Sequence, residues 1–151
     1  MIYTKVEFAS VRISQIHNIA DLSKLLFPGN LNHQYAFMVI WMILRWQPES
    51  IVANLATRSY SRGVSRRTFE RVRAKMRRMG LIQFVSRFDR SFGNREGWVL
   101  STRFEQNLQQ LRDTISQLRD IDKGSLEEDE RLIEIARRSL KATKHSNDDM
   151  A

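Results

Sequence analysis

Between positions 66 and 78 the chain carries Arg66, Arg67, Arg71, Arg73, Lys75, Arg77 and Arg78 against a single acid, Glu70. Guanidinium groups at that density suit one kind of chemistry. Each is a rigid fork of donors that matches phosphate oxygens or the two acceptors on a guanine edge. The apolar residues of the same stretch, Phe69, Val72, Met76 and Met79, recur at intervals of three, four and three and so form one stripe on a helix. At about 100° per residue, Arg67, Glu70, Ala74 and Arg78 lie nearest the opposite side, with Arg66, Arg71 and Arg77 beside them. Arg67, Glu70 and Arg71, near the helix start, are candidates for base edges in a major groove, Glu70 as an acceptor for cytosine N4. Arg66, Lys75, Arg77 and Arg78 are assigned to phosphates, which fix position without reading sequence. The small Ala74 lets the helix approach closely. Further along, Arg90 and Arg95 are placed to reach an adjacent groove or backbone.

A solvated surface helix is the plain alternative for such a segment. It fits poorly, because like charges four apart, Arg67/Arg71 and Arg73/Arg77, repel and only Glu70 offsets them. Charge along the chain agrees. Residues 58–103 hold 13 Lys/Arg against 3 Asp/Glu, whereas 1–57 hold 4 against 3 and 104–151 hold 8 against 11. The middle third alone attracts polyanions, and nucleic acid is the expected partner.

Other chemistry is scarcely signalled. The chain has no cysteine, which removes disulfides, thiolate metal sites and cysteine nucleophiles and points to a reducing, cytoplasmic compartment. His17, His33 and His145 are too scattered for metal-ligand spacing, and no phosphate loop, H-E-x-x-H or G-x-S-x-G occurs. The expectation is a binding protein and not an enzyme, with no cofactor and no metal. No apolar run approaches the length of a membrane span, so no membrane association is expected.

The elements that must position the arginines can be read from periodicity and punctuation. Residues 1–31 are expected to form a short extended arm (Ile2, Thr4, Val6, Phe8) and a helix with Ile13, Ile16, Ile19, Leu22 and Leu26 inward. Pro28-Gly29-Asn30 ends that helix, and Asn32 is placed to cap the next, which runs to Trp46. That helix is apolar nearly all round from Tyr35 to Leu44, as a central core helix should be, so Met38, Trp41, Met42 and Trp46 are assigned to packing. Pro48 stops it. Ser50 is placed to cap a short helix with Ile51, Val52 and Leu55 inward, residues 59–64 read as a turn, and Ser65 caps the arginine helix, which Gly80 ends. After Gly80 the period changes to two. Residues 81–102 are predicted to be a hairpin with a polar tip from Asp89 to Glu96.

The segment from Gly63-Val-Ser-Arg-Arg-Thr-Phe-Glu-Arg-Val-Arg-Ala-Lys-Met-Arg-Arg-Met to Gly80-Leu-Ile82 resembles the recognition-helix segment of bacterial and phage winged-helix DNA-binding proteins, including the MarR, PadR and replication-initiator groups. In those families a Gly-Val-Ser turn enters the recognition helix and a Gly-Leu-Ile exit leads to the wing. The close match covers about 20 residues and the looser element order roughly 32–103. The resemblance implies a mainly α fold with a small β-hairpin wing: a winged helix-turn-helix domain over 32–103 with flanking helices, helix 65–79 in the major groove and hairpin 81–102 as wing. It implies sequence-specific binding of double-stranded DNA by a transcriptional regulator. One departure stands out. The families place an alanine about four residues before the turn glycine, whereas Ala56 precedes Gly63 by seven, which predicts a longer turn.

In residues 104–144, Phe104, Leu108, Leu111, Ile115 and Leu118 make a heptad-like seam that wants a partner helix. A homodimer is expected to use it; packing on the chain's own core helix is the alternative. Beyond Lys123–Gly124, Ser125 and Glu128 match a capping box. The final helix carries acids first (Glu127 to Glu130) and bases last, the order the helix dipole favours, with residues 145–151 as a frayed tail. Two other functions fit the same residues. One is a replication or plasmid-maintenance factor binding origin DNA, with the acidic helix as a docking surface. The other is a module for RNA or protein contacts, in which Tyr60, Phe88 and Phe92 stack on single-stranded bases.

Overall fold

The computed structural model describes residues 13–47, 51–89, 93–122 and 124–148, with the backbone alone for Asp89, Asn94 and 145–148. The extended arm, Pro48, Ser50, Arg90 and Phe92 lie outside the described residues. Contacts divide the chain into two units, Met1–Asn107 and Leu108–Ala151.

Residues 13 and 14 are helical, and helix α1 then spans Ile19–Leu26, so the stretch expected as one helix from Ile13 is broken. Cap chemistry overrides apolar spacing here. The Asn18 side chain accepts from the Asp21 N–H at 2.9 Å, and the Asp21 carboxylate accepts from the His17 N–H at 3.1 Å, so the helix starts afresh at Ile19. The second helix, α2, spans Leu31–Arg45, and its cap is Asn30, accepting from the His33 N–H at 3.1 Å, in place of Asn32. It is the centre of the first unit and packs on α1, on α3 (Leu55–Ser61), on α4 (Arg66–Met79) and on strand β2 (Gly93–Leu100). Ala36, Phe37, Val39, Ile40 and Ile43 are buried along it.

Ile51 and Val52 face inward as expected but not as a helix. Val52 forms an isolated antiparallel bridge to β2: its N–H donates to the Trp98 carbonyl at 3.0 Å and the Trp98 N–H to the Val52 carbonyl at 2.9 Å. This close approach requires Gly97. A Cβ there would lie 2.5 Å from the Val52 carbonyl oxygen and 2.6 Å from Ile51 Cγ2.

Helix α3 continues through Ser61, so the predicted turn over 59–64 shrinks to the residues around Gly63. Gly63 has φ +89, and its N–H donates to the Tyr60 carbonyl at 3.0 Å while the Val64 N–H donates to the Ser59 carbonyl at 3.2 Å. The turn is short because the small residue four positions before Gly63 is Ser59. It is fully buried, and its hydroxyl donates to the Leu55 carbonyl at 2.8 Å, so this buried hydroxyl is paired. The expected lengthening of the turn is therefore corrected.

In α4, Ser65 Oγ accepts from the Thr68 N–H at 3.3 Å, and Gly80 ends the helix in the left-handed conformation at φ +87. The predicted stripe is the packing face: Phe69, Val72 and Met76 are buried and Met79 is half-buried. Strand β1 (Ile82–Asp89) pairs antiparallel with β2, Ile82 opposite Leu100 and Asp89 opposite Gly93. The ladder thus includes Asn94 to Glu96, which the sequence assigned to a polar tip. Both faces of a protruding two-stranded ribbon meet water, so pairing there leaves no apolar alternation to read.

Helix α5 (Arg103–Arg119) begins on the first unit: the Phe104 N–H donates to the Gly80 carbonyl at 3.0 Å and its ring packs against the core cluster. In the second unit Leu108, Leu111, Ile115 and Leu118 are exposed. Helix α6 spans Leu126–Asp148, so 145–148 continue the helix instead of fraying; Ser125 Oγ accepts from the Glu128 N–H at 3.4 Å. The protein is mainly helical with a small two-stranded antiparallel hairpin, a helix-turn-helix and wing between flanking helices. Among the described residues, no helix is long and apolar enough to cross a membrane.

Candidate nucleic-acid interface

Burial of the Phe69–Val72–Met76 stripe turns the opposite side of α4 to solvent. Arg66, Arg67, Glu70, Arg71, Arg77 and Arg78 are all exposed on it, and Ala74 is half-buried among them. Glu70 pairs with Arg66 at 3.2 Å, one turn apart. Both are solvated, so the pair contributes less than about 0.5 kcal/mol and exchanges readily for a ligand contact. Arg67, Arg71 and Arg78 rise along the same outward side.

A second group of arginines is tied down. Trp98 on β2 faces α4, with the guanidinium of Arg73 at 5.2 Å and that of Arg77 at 5.7 Å from its ring. Arg73 also lies 5.2 Å from the Phe69 ring, and Phe84 meets Trp98 edge-on at 5.3 Å. The indole thus joins α4 to the hairpin and fixes two cations at their junction. Such stacking holds a guanidinium in place while leaving its in-plane donors available. Farther out on the hairpin, Arg87 and Arg95 face each other across the two strands. Phe88, near the hairpin end, is 74% exposed. Tyr60 packs edge-on against Phe69 at 5.5 Å, pinning α3 to α4.

Lys75 points away from the outward side. Its ammonium donates to the Leu26 carbonyl at the C-terminal end of α1 and sits 4.4 Å from the Phe27 ring. A cation at that end satisfies a carbonyl the helix leaves open, and Gln34 does the same for Phe27 with a bond of 2.9 Å. Burial, and secondarily Arg78, lowers the Lys75 pKa. His33, edge-on to Phe27 at 6.1 Å, has its pKa lowered first by burial and then by Arg71 and Lys75. These two groups mark where α1 and α2 meet the basic helix.

The structure therefore brings Arg66, Arg67, Glu70, Arg71, Arg77 and Arg78 onto one surface, with Arg95 on the hairpin that adjoins it through Trp98. Arg90 lies outside the described residues. Three contributors escape the sequence pattern: Trp98 as platform, Arg73 stacked on it, and Arg87 opposite Arg95. Strand register and helix-to-hairpin packing create those neighbours, and no local spacing announces them. Among the described residues, no group of His, Asp and Glu is arranged to hold a metal ion. Comparison with family models, curated proteins and solved structures yields no match to this chain.

Proposed function

We propose that this protein binds double-stranded DNA sequence-selectively and regulates transcription, with α4 in the major groove and the hairpin as a wing along the neighbouring backbone. The carrying observation is the outward side of α4, where Arg67, Arg71 and Arg78 are exposed and the single acid is already paired with Arg66. Arg67 and Arg71 read base edges near the helix start, with Glu70 once Arg66 turns to phosphate; Arg66, Arg77 and Arg78 hold phosphates, and Arg87 and Arg95 follow the backbone beside the wing. Lys75 supports the helix from behind. A homodimer formed through the exposed Leu108, Leu111, Ile115 and Leu118 sets two such helices against two half-sites, and the protein works in the cytoplasm on the nucleoid.

Fluorescence anisotropy with random-sequence duplex, single-stranded DNA and duplex RNA at several salt concentrations tests this. Five to seven phosphate contacts correspond to a log–log salt slope of about −4.5 to −6 on duplex DNA. Duplex preference with such a slope supports the proposal, and selection of a preferred site then completes it. Tighter binding to single strands would assign the exposed Phe88 to base stacking and overturn it. Equal binding to all three polymers would overturn it as well.

A further inference from the structure

Among the described residues, nothing covers an apolar stripe on helix α6. Leu126, Ile133 and Leu140, spaced seven apart, are 74%, 68% and 67% exposed. Leu132, half exposed, and Ala136 widen the same face. Seven-residue spacing of large aliphatic side chains on a helix is the seam of a two-stranded coil.

Charge on α6 is divided about the middle of that stripe. Residues 126–134 carry five acids and one base, and 135–144 carry four bases and no acid. The helix dipole accounts for that order along the axis but not for its placement around the helix. At about 100° per residue, Glu130, Arg137 and Lys141 all border the stripe on one side, within about 80° of Ile133. When two α6 helices lie antiparallel with Ile133 at the centre, Leu126 of one faces Leu140 of the other. The same register sets Glu130 beside Arg137 and Glu127 beside Lys141, each pair occurring twice. A parallel pair sets acidic half against acidic half. Glu134, near the centre, is held within its own helix by Arg137 and Arg138, each at 3.6 Å. These pairs are solvent-exposed and weak enough for Arg137 to be shared.

We propose that α6 is a self-recognition element whose occupant is the α6 of a second copy of this chain, antiparallel about Ile133. This deepens the homodimer part of the proposed function by naming a second contact, and it does not depend on DNA binding.

The test uses sedimentation equilibrium on the full chain. Glu127→Lys with Glu130→Lys should raise the dimer dissociation constant at least tenfold. Adding Arg137→Glu and Lys141→Glu to the same chain should restore it to within about threefold, because reversing both halves regenerates complementarity only in an antiparallel self-pair. Circular dichroism checks that each variant stays helical. The natural chain has no cysteine, so engineered thiols report register directly. Leu126→Cys mixed with Leu140→Cys should cross-link, while Leu126→Cys alone should not, its two sulfurs lying about 20 Å apart along the coil. Cross-linking of Leu126→Cys alone, or failure of the fourfold charge swap to restore dimers, overturns the proposal. A dimer lost with Leu111→Ser/Ile115→Ser but indifferent to every α6 variant overturns it while leaving the α5 dimer standing. A monomer at all concentrations removes both, and an α6 that binds only a different protein appears as that monomer.

Discussion

Replacing Gly97 by alanine isolates one structural claim, that the Ile51–Val52 segment is seated on β2 through the Val52–Trp98 bridge. The new methyl would stand 2.5 Å from the Val52 carbonyl oxygen, 2.6 Å from Ile51 Cγ2 and 2.7 Å from the Val52 carbonyl carbon, with backbone on one side and a buried side chain on the other. Neither can yield without parting the bridge. Overpacking of this kind costs about 1–3 kcal/mol. Losing the two Val52–Trp98 hydrogen bonds adds about 2 kcal/mol, and restricting the unfolded chain returns about 0.4–1 kcal/mol. The net is a destabilisation of about 2–4.6 kcal/mol. At about 4 °C per kcal/mol for a unit near 100 residues, the melting temperature should fall by about 8–18 °C. Thermal melts followed by circular dichroism read this, and hydrogen exchange at the Val52 and Trp98 amides locates it. Gly124→Ala is the control, because its methyl would meet nothing closer than the Asp120 carbonyl at 3.6 Å. A Gly97→Ala protein that melts within about 2 °C of the parent with both amides still protected would refute the seating of this bridge.

The two roles given to the basic helix should separate on mutation. Arg67→Ala should relax preference at about one base position at a cost of about 1–3 kcal/mol, whereas Arg78→Ala should weaken all duplexes alike and make the salt slope less steep by about one; identical behaviour in anisotropy titrations would contradict the assignment. Lys75→Met keeps an apolar stem against Phe27 but leaves the Leu26 carbonyl without its donor, so a urea midpoint should report a loss of about 1 kcal/mol with little change in salt slope. Acidification probes His33. Because burial lowers its folded pKa, the unfolded chain binds more protons between that value and about 6.5. Its contribution is complete above about pH 6.5 and is lost as pH falls below it; His33→Gln should flatten the pH dependence of stability there, and an unchanged profile would contradict the half-buried placement.

How much could be read in advance follows from the range of each interaction. The packing stripe of α4, its Ser65 cap and Gly80 stop, the apolar α2 and the existence of a hairpin are legible because each is set by residues within one or two turns of each other. The same locality exposes the outward arginines, since fixing the buried face fixes the opposite one. Errors arose where a cap or a distant strand competed. Asn18 with Asp21 restarted α1, Asn30 displaced Asn32, and Val52 became a bridge to β2 because Trp98 supplies its partners from 46 residues away. Ser59 hid in plain sight, as a serine serves the turn only when burial and the Leu55 carbonyl satisfy its hydroxyl.

The sequence by itself therefore determined a basic surface: charge density, helical period and the side of α4 that must be buried all follow from local spacing. Only the tertiary structure decided which cations that surface keeps. It turned Lys75 inward to close α1, stacked Arg73 and Arg77 on Trp98, and set Arg87 opposite Arg95. Each depends on contacts between residues far apart in the chain, and the energies that select those contacts, burial and pairing of polar groups, exist only once the core has formed.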